Sequence, residues 1–295
     1  MKEKQEIITT LCDREASSYA PWLSIVTVVR NDLPKLIATF QSLIVQDHQN
    51  FEWIVVDGAS TDGVQAWLTA CGDRVAWWRS APDSGIYEAM NIGLSVVRGD
   101  YVLFLNAGDK LPTPQTLGRI AAECQRLLLV PDFIYGDALE ESEDGRRLYK
   151  PARSYRTAWY GMFAHHQSII YSRMLAQRFR FDVSFSIGAD YALTLQTLQV
   201  AQGVVKLPIP FCIFATGGVS WRRASQGRRD QMRIRRKVGG YSRVLCLVVF
   251  LIQWGSMTAR RVCPIFFEQF RCSSRQLYQF LKQSRSNDAG DASDP

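Results

Sequence analysis

Two apolar runs in this chain each lead into a cluster of small polar residues and acids. The first is Trp53-Ile-Val-Val-Asp57-Gly-Ala-Ser-Thr-Asp62, and the second is Tyr101-Val-Leu-Phe-Leu-Asn106-Ala-Gly-Asp109. Buried strands that end in carboxylates are how an open α/β sheet builds a ligand site at its carboxyl edge. Several acids with little bulk around them suit a nucleotide diphosphate held through a divalent metal, because hard oxygen ligands select Mg²⁺ or Mn²⁺.

The elements that must position those acids follow from periodicity. Leu23 to Val29 is a β-branched run expected as a first buried strand, and Pro34 sits where a helix begins. Leu36, Ile37, Phe40, Leu43 and Ile44 have the spacing of one helical face over 35–45. Further strands are expected at 51–56, 75–79, 101–105, 132–137 and 204–214. Helices are expected at 64–70, 86–97, from Thr113-Pro114 to about Leu129, and after Asp190. Glu140 to Arg147 reads as a polar hairpin or loop. Strand and helix alternating on this scale predict an α/β fold with a doubly wound, mostly parallel sheet.

Composition narrows the class. The 295 residues can bury a large core, and 47% hydrophobic with 21% charged residues is ordinary for a globular protein. The net charge of +7 is uneven: between Trp221 and Arg261 eleven Lys or Arg residues face the single acid Asp230. The seven cysteines are scattered and form no Cys-x-x-Cys pair, which suggests neither a zinc site nor a disulfide scaffold and favours a reducing compartment. The first residues mix acids with lysines and show no apolar stretch, against a signal peptide. A cytoplasmic location is therefore expected.

From Leu23 to Ile234 the chain resembles the family 2 glycosyltransferases of the GT-A fold, particularly the bacterial exopolysaccharide and colanic-acid type transferases. Ser24-Ile-Val-Thr-Val-Val-Arg-Asn31 is similar to their first strand, with Val28 where many members have Pro. Val55-Val-Asp57-Gly-Ala-Ser-Thr-Asp62-Gly resembles their nucleotide-binding signature, and Pro82-Asp83-Ser-Gly-Ile-Tyr-Glu-Ala-Met-Asn91-Ile-Gly93 a second family segment. The resemblance implies a donor nucleotide site made of Val29, Asn31, Asp57, Asp83, Asn91 and Asn106, with Asp57 on the base and Asp62 ordering its loop or capping the next helix. Asn106-Ala-Gly-Asp109 stands in the place of the family's Asp-x-Asp, with Asn106 and Gly108 at the two usual acid positions. Asp109 is then the metal ligand for Mg²⁺ or Mn²⁺. Gly188-Ala-Asp190-Tyr matches the catalytic motif, with Ala189 where relatives often carry Glu, and makes Asp190 the general base. His166, Gln167, Tyr135 and Asp137 are expected on the acceptor or donor-sugar side, and Gly217-Gly-Val-Ser220 resembles an acceptor-side loop. No Gln-x-x-Arg-Trp motif is present, which disfavours the processive synthases.

One base without a second carboxylate nucleophile predicts direct displacement with inversion. The partners implied are a nucleotide-sugar donor, a UDP- or GDP-sugar, and a polyprenyl-linked or oligosaccharide acceptor in cell-surface polysaccharide synthesis. The organisation expected is a leader at 1–20, a GT-A domain at 21–220, a basic and apolar helical region at 221–283, and a disordered tail at 284–295. Val244 to Trp254 lies within sixteen uncharged residues, too few for the ~20 of a spanning helix, and suits an interfacial helix at the inner face of the plasma membrane or a helix docked on the core. Two other readings share the sequence: a catalytically silent GT-A-like scaffold, and a basic nucleic-acid-binding protein. The arginine cluster has little aromatic interleaving, so no nucleic-acid partner is expected.

Overall fold

The computed structural model describes residues 20–142, 144–216 and 224–262. The leader up to residue 19, the Gly217–Ser220 loop and the tail lie outside the described residues. Strand β1 (Leu23–Val29) is buried along its whole length, as its β-branched sequence requires. Helix α1 (Leu33–Ile44) starts at the N-cap Asp32, with Pro34 in its first turn. Strand β2 (Phe51–Asp57) runs parallel to β1 with Val29 opposite Asp57. Helix α2 (Val64–Cys71), strand β3 (Trp77–Ser80), helix α3 (Ile86–Val96) and strand β4 (Tyr101–Phe104) follow. Next come helix α4 (Thr116–Gln125), strands β5 (Phe133–Glu141), β6 (Arg147–Lys150) and β7 (Ile169–Ser172), and helix α5 (Arg173–Phe179). Helix α6 (Ala189–Val200), strand β8 (Val204–Ala215) and helices α7 (Ala224–Lys237) and α8 (Arg243–Val262) complete the described elements.

The strands form one sheet in the order β3-β2-β1-β4-β7-β5-β6, with β8 pairing β5. The first four are parallel; β7 runs antiparallel to β4 and β5, and β6 antiparallel to β5. The chain therefore reverses its winding between β1 and β4, and an open sheet binds ligands at the carboxyl ends beside such a reversal. Alternation along the strands splits the core in two. Ile25, Trp53, Val55 and Leu103 pack with Leu36, Phe40 and Leu68 of α1 and α2 on one face. Val26, Val28, Ile54, Val56 and Phe104 pack with Met90 and Leu94 of α3 and with α6 on the other.

Some expected boundaries shift. The helix expected from Thr113 begins at Thr116, because the Thr113 amide donates to the Thr116 hydroxyl at 3.1 Å and forms a turn first. It stops at Gln125, and Leu128, Leu129 and Val130 are exposed beyond it. The expected polar hairpin is the β5–β6 pair, whereas β7 and α5 have no counterpart in the periodicity.

Helix α7 lies against the loop that leads into α6. A Cβ on Gly188 would stand 2.9 Å from Ile234 Cδ1 and 3.2 Å from Asp230 Cβ. Arg235 is fully buried, its guanidinium donating to the carbonyls of Trp159, at 3.0 Å, and Tyr160. Cys246 and Val249 of α8 are buried, while Val244, Leu247, Val248, Leu251, Ile252 and Trp254 are 45–73% exposed. The region 244–254 is thus docked along one side only. No described helix is long and apolar enough to cross a membrane.

Candidate functional site

Two loops at the carboxyl edge are sewn together. The Asn31 amide donates to Ser60 Oγ at 2.7 Å, and Asn31 Oδ1 accepts from Thr61 N at 2.8 Å. Asn31 has a φ of 50°, a left-handed conformation that Asn tolerates better than most residues. Asp62 Oδ2 accepts from Leu33 N at 2.8 Å, so the helix it caps is α1, across the crevice, and the N-cap of α2 is Gly63 without a side-chain bond. Asp57 is fully buried and accepts from the Ser60 amide, the Ser60 hydroxyl and, at 2.6 Å, the Ser80 hydroxyl. It holds three loop ends together, and a base could reach it only in exchange for one of these serines. The Val29 carbonyl accepts from Gly58 N at 2.9 Å. A Cβ on Gly58 would lie 2.8 Å from Asp83 Oδ2, so Gly58 admits the Asp83 carboxylate to this edge.

The loop after β4 brings Asn106 and Asp109 beside α1. Thr39 Oγ1 donates to the Asp109 carbonyl at 2.8 Å and accepts from Gly108 N at 2.9 Å. Gly108 has a φ of 98°, and a Cβ there would meet the Lys35 side chain at 2.8 Å, a double requirement for glycine. The Asp109 carboxyl is buried, and burial pushes its pKa up to about 7 against the opposing pull of the Ala215 N–H, the Gln167 amide and the Lys35 charge. Asn106 Oδ1 is buried with no protein partner. A buried carboxyl short of positive charge and an unpaired amide oxygen on the same turn are hard oxygen donors of the kind that Mg²⁺ or Mn²⁺ takes. Among the described residues no three His, Cys, Asp or Glu side chains converge as a metal cluster. These residues fit a cation that takes most of its ligands from substrate oxygens and water.

A second carboxyl stands at the start of α6. Asp190 Oδ1 accepts from Tyr191 N at 2.9 Å and lies 3.3 Å from the Tyr87 hydroxyl, which also donates to the Ile187 carbonyl at 2.6 Å. Burial raises the Asp190 pKa to about 6, and the bonds from Tyr191 and Tyr87 hold it from rising further. The Tyr87 pKa is driven up by burial and by the Asp190 charge, so its hydroxyl keeps its proton and remains a donor. The Tyr87 ring stacks on Phe181 at 5.5 Å. Between the two acids sits the His166-Gln167 turn. His166 stacks on Phe104 at 5.3 Å, and its Nδ1 is 3.5 Å from the Tyr171 hydroxyl. Asp190 adds to the upward push that burial exerts on Tyr171. Burial lowers the His166 pKa to about 4, so it is neutral near pH 7, and its Nε2 has no protein partner.

Three expected site residues serve the framework. Asn91 uses both ends of its amide on the Phe181 backbone, donating to the carbonyl at 2.8 Å and accepting from the amide at 2.9 Å, which ties it to that segment. Tyr135 is 2% exposed, accepts from Tyr155 N at 3.0 Å and packs edge-on against Phe163. Asp137 is 3% exposed and accepts from Ala152 N at 2.7 Å and from the Tyr149 hydroxyl. Burial and these bonds tie Tyr135 and Asp137 into the strand framework. Conversely, Tyr87, Thr39 and Asp230 gain roles that the sequence reading did not give them. Tyr87 carried a signal, its place in the first turn after Asp83-Ser-Gly, but the contact with Asp190 spans 103 residues.

A sheet that reverses at β1/β4, with carboxyls at its carboxyl edge and a further acid opening a helix beside it, is the arrangement of an α/β enzyme of the GT-A type. The chain belongs to glycosyl transferase family 2, which matches residues 24–185. It is 31% identical over 208 residues to a protein of Mycobacterium tuberculosis named as an uncharacterized glycosyltransferase, covering 69% of this chain and 79% of that one. A PGL/p-HBAD biosynthesis glycosyltransferase of Mycobacterium bovis is 34% identical over 131 residues, 43% of this chain and 50% of its own length. Among solved structures, Staphylococcus aureus TarS 1-349 in complex with UDP-GlcNAc superposes with a TM-score of 0.59 at 18% identity, over 73% of this chain and 65% of that one. The chain spans 39% of the longer TarS structure. The mannosyltransferase PcManGT of Pyrobaculum calidifontis, in complex with GDP-Man and Mn2+, superposes with a TM-score of 0.57 at 16% identity, over 90% of this chain and 85% of that one.

Proposed function

We propose that this glycosyltransferase moves a sugar from a UDP- or GDP-sugar to a hydroxyl of a saccharide or lipid-linked acceptor in cell-surface polysaccharide or glycolipid assembly, with inversion at the anomeric carbon. The observation that carries the reaction is Asp190: a carboxyl at a helix start, with its pKa raised to about 6 and a neutral donor, Tyr87, fixing its orientation. A base near neutrality is matched to taking a hydroxyl proton. Support for the donor comes from the TarS complex with UDP-GlcNAc and the PcManGT complex with GDP-Man.

In this reading the Asp190 carboxylate takes the acceptor proton as the acceptor oxygen bonds to the anomeric carbon. The bond from that carbon to the diphosphate oxygen breaks, and the nucleoside diphosphate leaves with the electron pair. The loops pinned by Asn31, Asp57 and Asp62, with the Asp83 carboxylate, face the nucleotide. Asp109 and Asn106 would hold Mg²⁺ or Mn²⁺, which neutralises charge on the departing diphosphate. His166 and Gln167 line the space between donor and acceptor, where a neutral imidazole can bond to sugar hydroxyls.

Asp190→Asn tests the base. Transfer should fall by about 10²- to 10⁴-fold with donor affinity unchanged. The variant should also melt higher. The native carboxyl titrates near 6 against an ordinary 3.8, so stability is lost as pH rises through that window and stays lost above it. Two pKa units amount to roughly 3 kcal/mol, and losing a favourable charge at a helix start returns about 0.3–1 kcal/mol. Wild-type turnover in the variant would remove Asp190 from the mechanism.

A further inference from the structure

Helix α8 has two unlike sides. On a helical wheel Cys246, Val249 and Gln253 share one side, and the first two are buried. The opposite side carries Val244, Leu247, Val248, Leu251 and Ile252, all 45–73% exposed, in the i, i+3, i+4, i+7, i+8 pattern of a buried stripe. Trp254, 58% exposed, stands at the margin of that stripe. An apolar face of this breadth left to water signals a partner.

The charge around it says which partner. The α8 sequence contains no acid from Arg243 to Val262, and arginines stand at both of its ends. The adjoining helix α7 exposes Arg229, Arg233, Arg236 and Lys237 at a spacing that puts them on one face. Arg229, Arg236, Lys237 and Arg243 form no ion pair among the described residues, and Arg233 reaches Asp230 at 3.6 Å. A second copy of the same chain would bring like charge to like charge. An anionic lipid surface satisfies both features, taking the apolar stripe at the acyl boundary and the cations among the headgroups.

We infer that α7 and α8 together form an anionic-bilayer docking surface, with α8 lying in the interface. The surface is joined to the proposed catalytic loop: Asp230 of α7 accepts from Ile187 N at 3.1 Å, and Ile234 closes over Gly188, two residues before Asp190. Docking therefore places the base beside the lipid–water boundary, where the sugar of a lipid-linked acceptor is presented. This last step rests on the assignment of Asp190 and of a lipid-linked acceptor; the docking itself does not.

The test is cosedimentation of the full chain with vesicles of phosphatidylcholine alone or mixed with phosphatidylglycerol. The wild type should bind the anionic vesicles, more weakly as salt rises, and the neutral ones little. Leu247→Glu with Leu251→Glu should lower binding by about tenfold or more, and Arg236→Glu with Lys237→Glu should remove most of the salt-sensitive part. Both pairs are exposed, so circular dichroism and melting temperature should stay as in the wild type. Equal binding of the double glutamate variant, binding to neither vesicle, or a dimer in sedimentation equilibrium that the glutamates dissociate would each overturn the inference. Turnover of a soluble acceptor is followed in parallel: a wild-type chain that turns over without binding anionic vesicles refutes the docking surface alone, and a wild-type chain that binds vesicles without any turnover refutes the catalytic reading alone.

Discussion

At the scale of single residues, the proposed proton chemistry of Asp190 depends on one hydroxyl. The Tyr87 O–H reaches Asp190 Oδ1 at 3.3 Å while bonded to the Ile187 carbonyl, and a bond to a carboxylate favours its charged form. Acceptor activation needs the charged form, so the rate should rise with pH through about 6 and level above it. Removing the hydroxyl in Tyr87→Phe withdraws stabilisation from the carboxylate, and the acid limb of kcat should move to higher pH. The pH–rate profile checks this, with full rate recovered above the new limb. A limb that stays in place, with the rate lowered equally at every pH, would leave Tyr87 a packing residue only. Asn91 belongs to the same arrangement one step removed. It fixes the Phe181 backbone, and Phe181 carries the ring on which Tyr87 stacks.

At the scale of elements, helix α6, which carries the proposed base, is set by a neighbour that follows it in the chain. Asp230 is fully buried and accepts from Ile187 N and from Gln226 Nε2 at 3.2 Å. In Asp230→Ala the Ile187 N–H loses its partner, at a cost of about 1–3 kcal/mol, and the turn before Asp190 loosens. Melting should drop accordingly and kcat should fall with donor affinity kept, whereas Asp230→Asn, which retains an acceptor oxygen, should recover much of both. Thermal melts and steady-state kinetics on the two variants decide it. Equal losses in both would place the effect in the negative charge instead of the hydrogen bond. This contact also marks the limit of what the sequence reveals. The span of β1 is legible because seven consecutive residues are buried on both faces, and α6 because an acid opens an apolar helix. Strand β7 and helix α5 are not, since a four-residue strand between two antiparallel partners owes its conformation to distant pairing. Asp109 and Asp137 look alike as strand-end acids. Their difference lies in partners: Asp137 has Ala152, Tyr149 and Lys206, whereas Asp109 has a 3.4 Å bond from Ala215 and the Gln167 amide, too little to offset burial, which pushes its pKa upward.

At the scale of the molecule, the basic C-terminal region divides into two parts with different duties. Helix α7 carries Asp230, Ile234 and Arg235, all fully buried, and Arg235 also sits 5.9 Å from the Tyr191 ring of α6. Burying an apolar side chain such as Ile234 is worth about 1.5–3 kcal/mol, and the whole protein has only about 5–15 kcal/mol in hand. A chain ending at Thr216, without α7 and α8, should therefore melt on the order of 10 °C lower and lose turnover even of a soluble acceptor, because the loop before Asp190 is uncovered. A chain ending at Ser242 keeps α7 and loses the helix with the exposed apolar stripe together with residues 263–295. It should retain most of its turnover of a soluble acceptor while losing anionic-vesicle binding. Calorimetry, kinetics and cosedimentation on the two truncations separate the duties. If the chain ending at Thr216 melts and turns over like the full chain, α7 is no part of the catalytic unit and Asp190 must be held by α3 and the sheet alone.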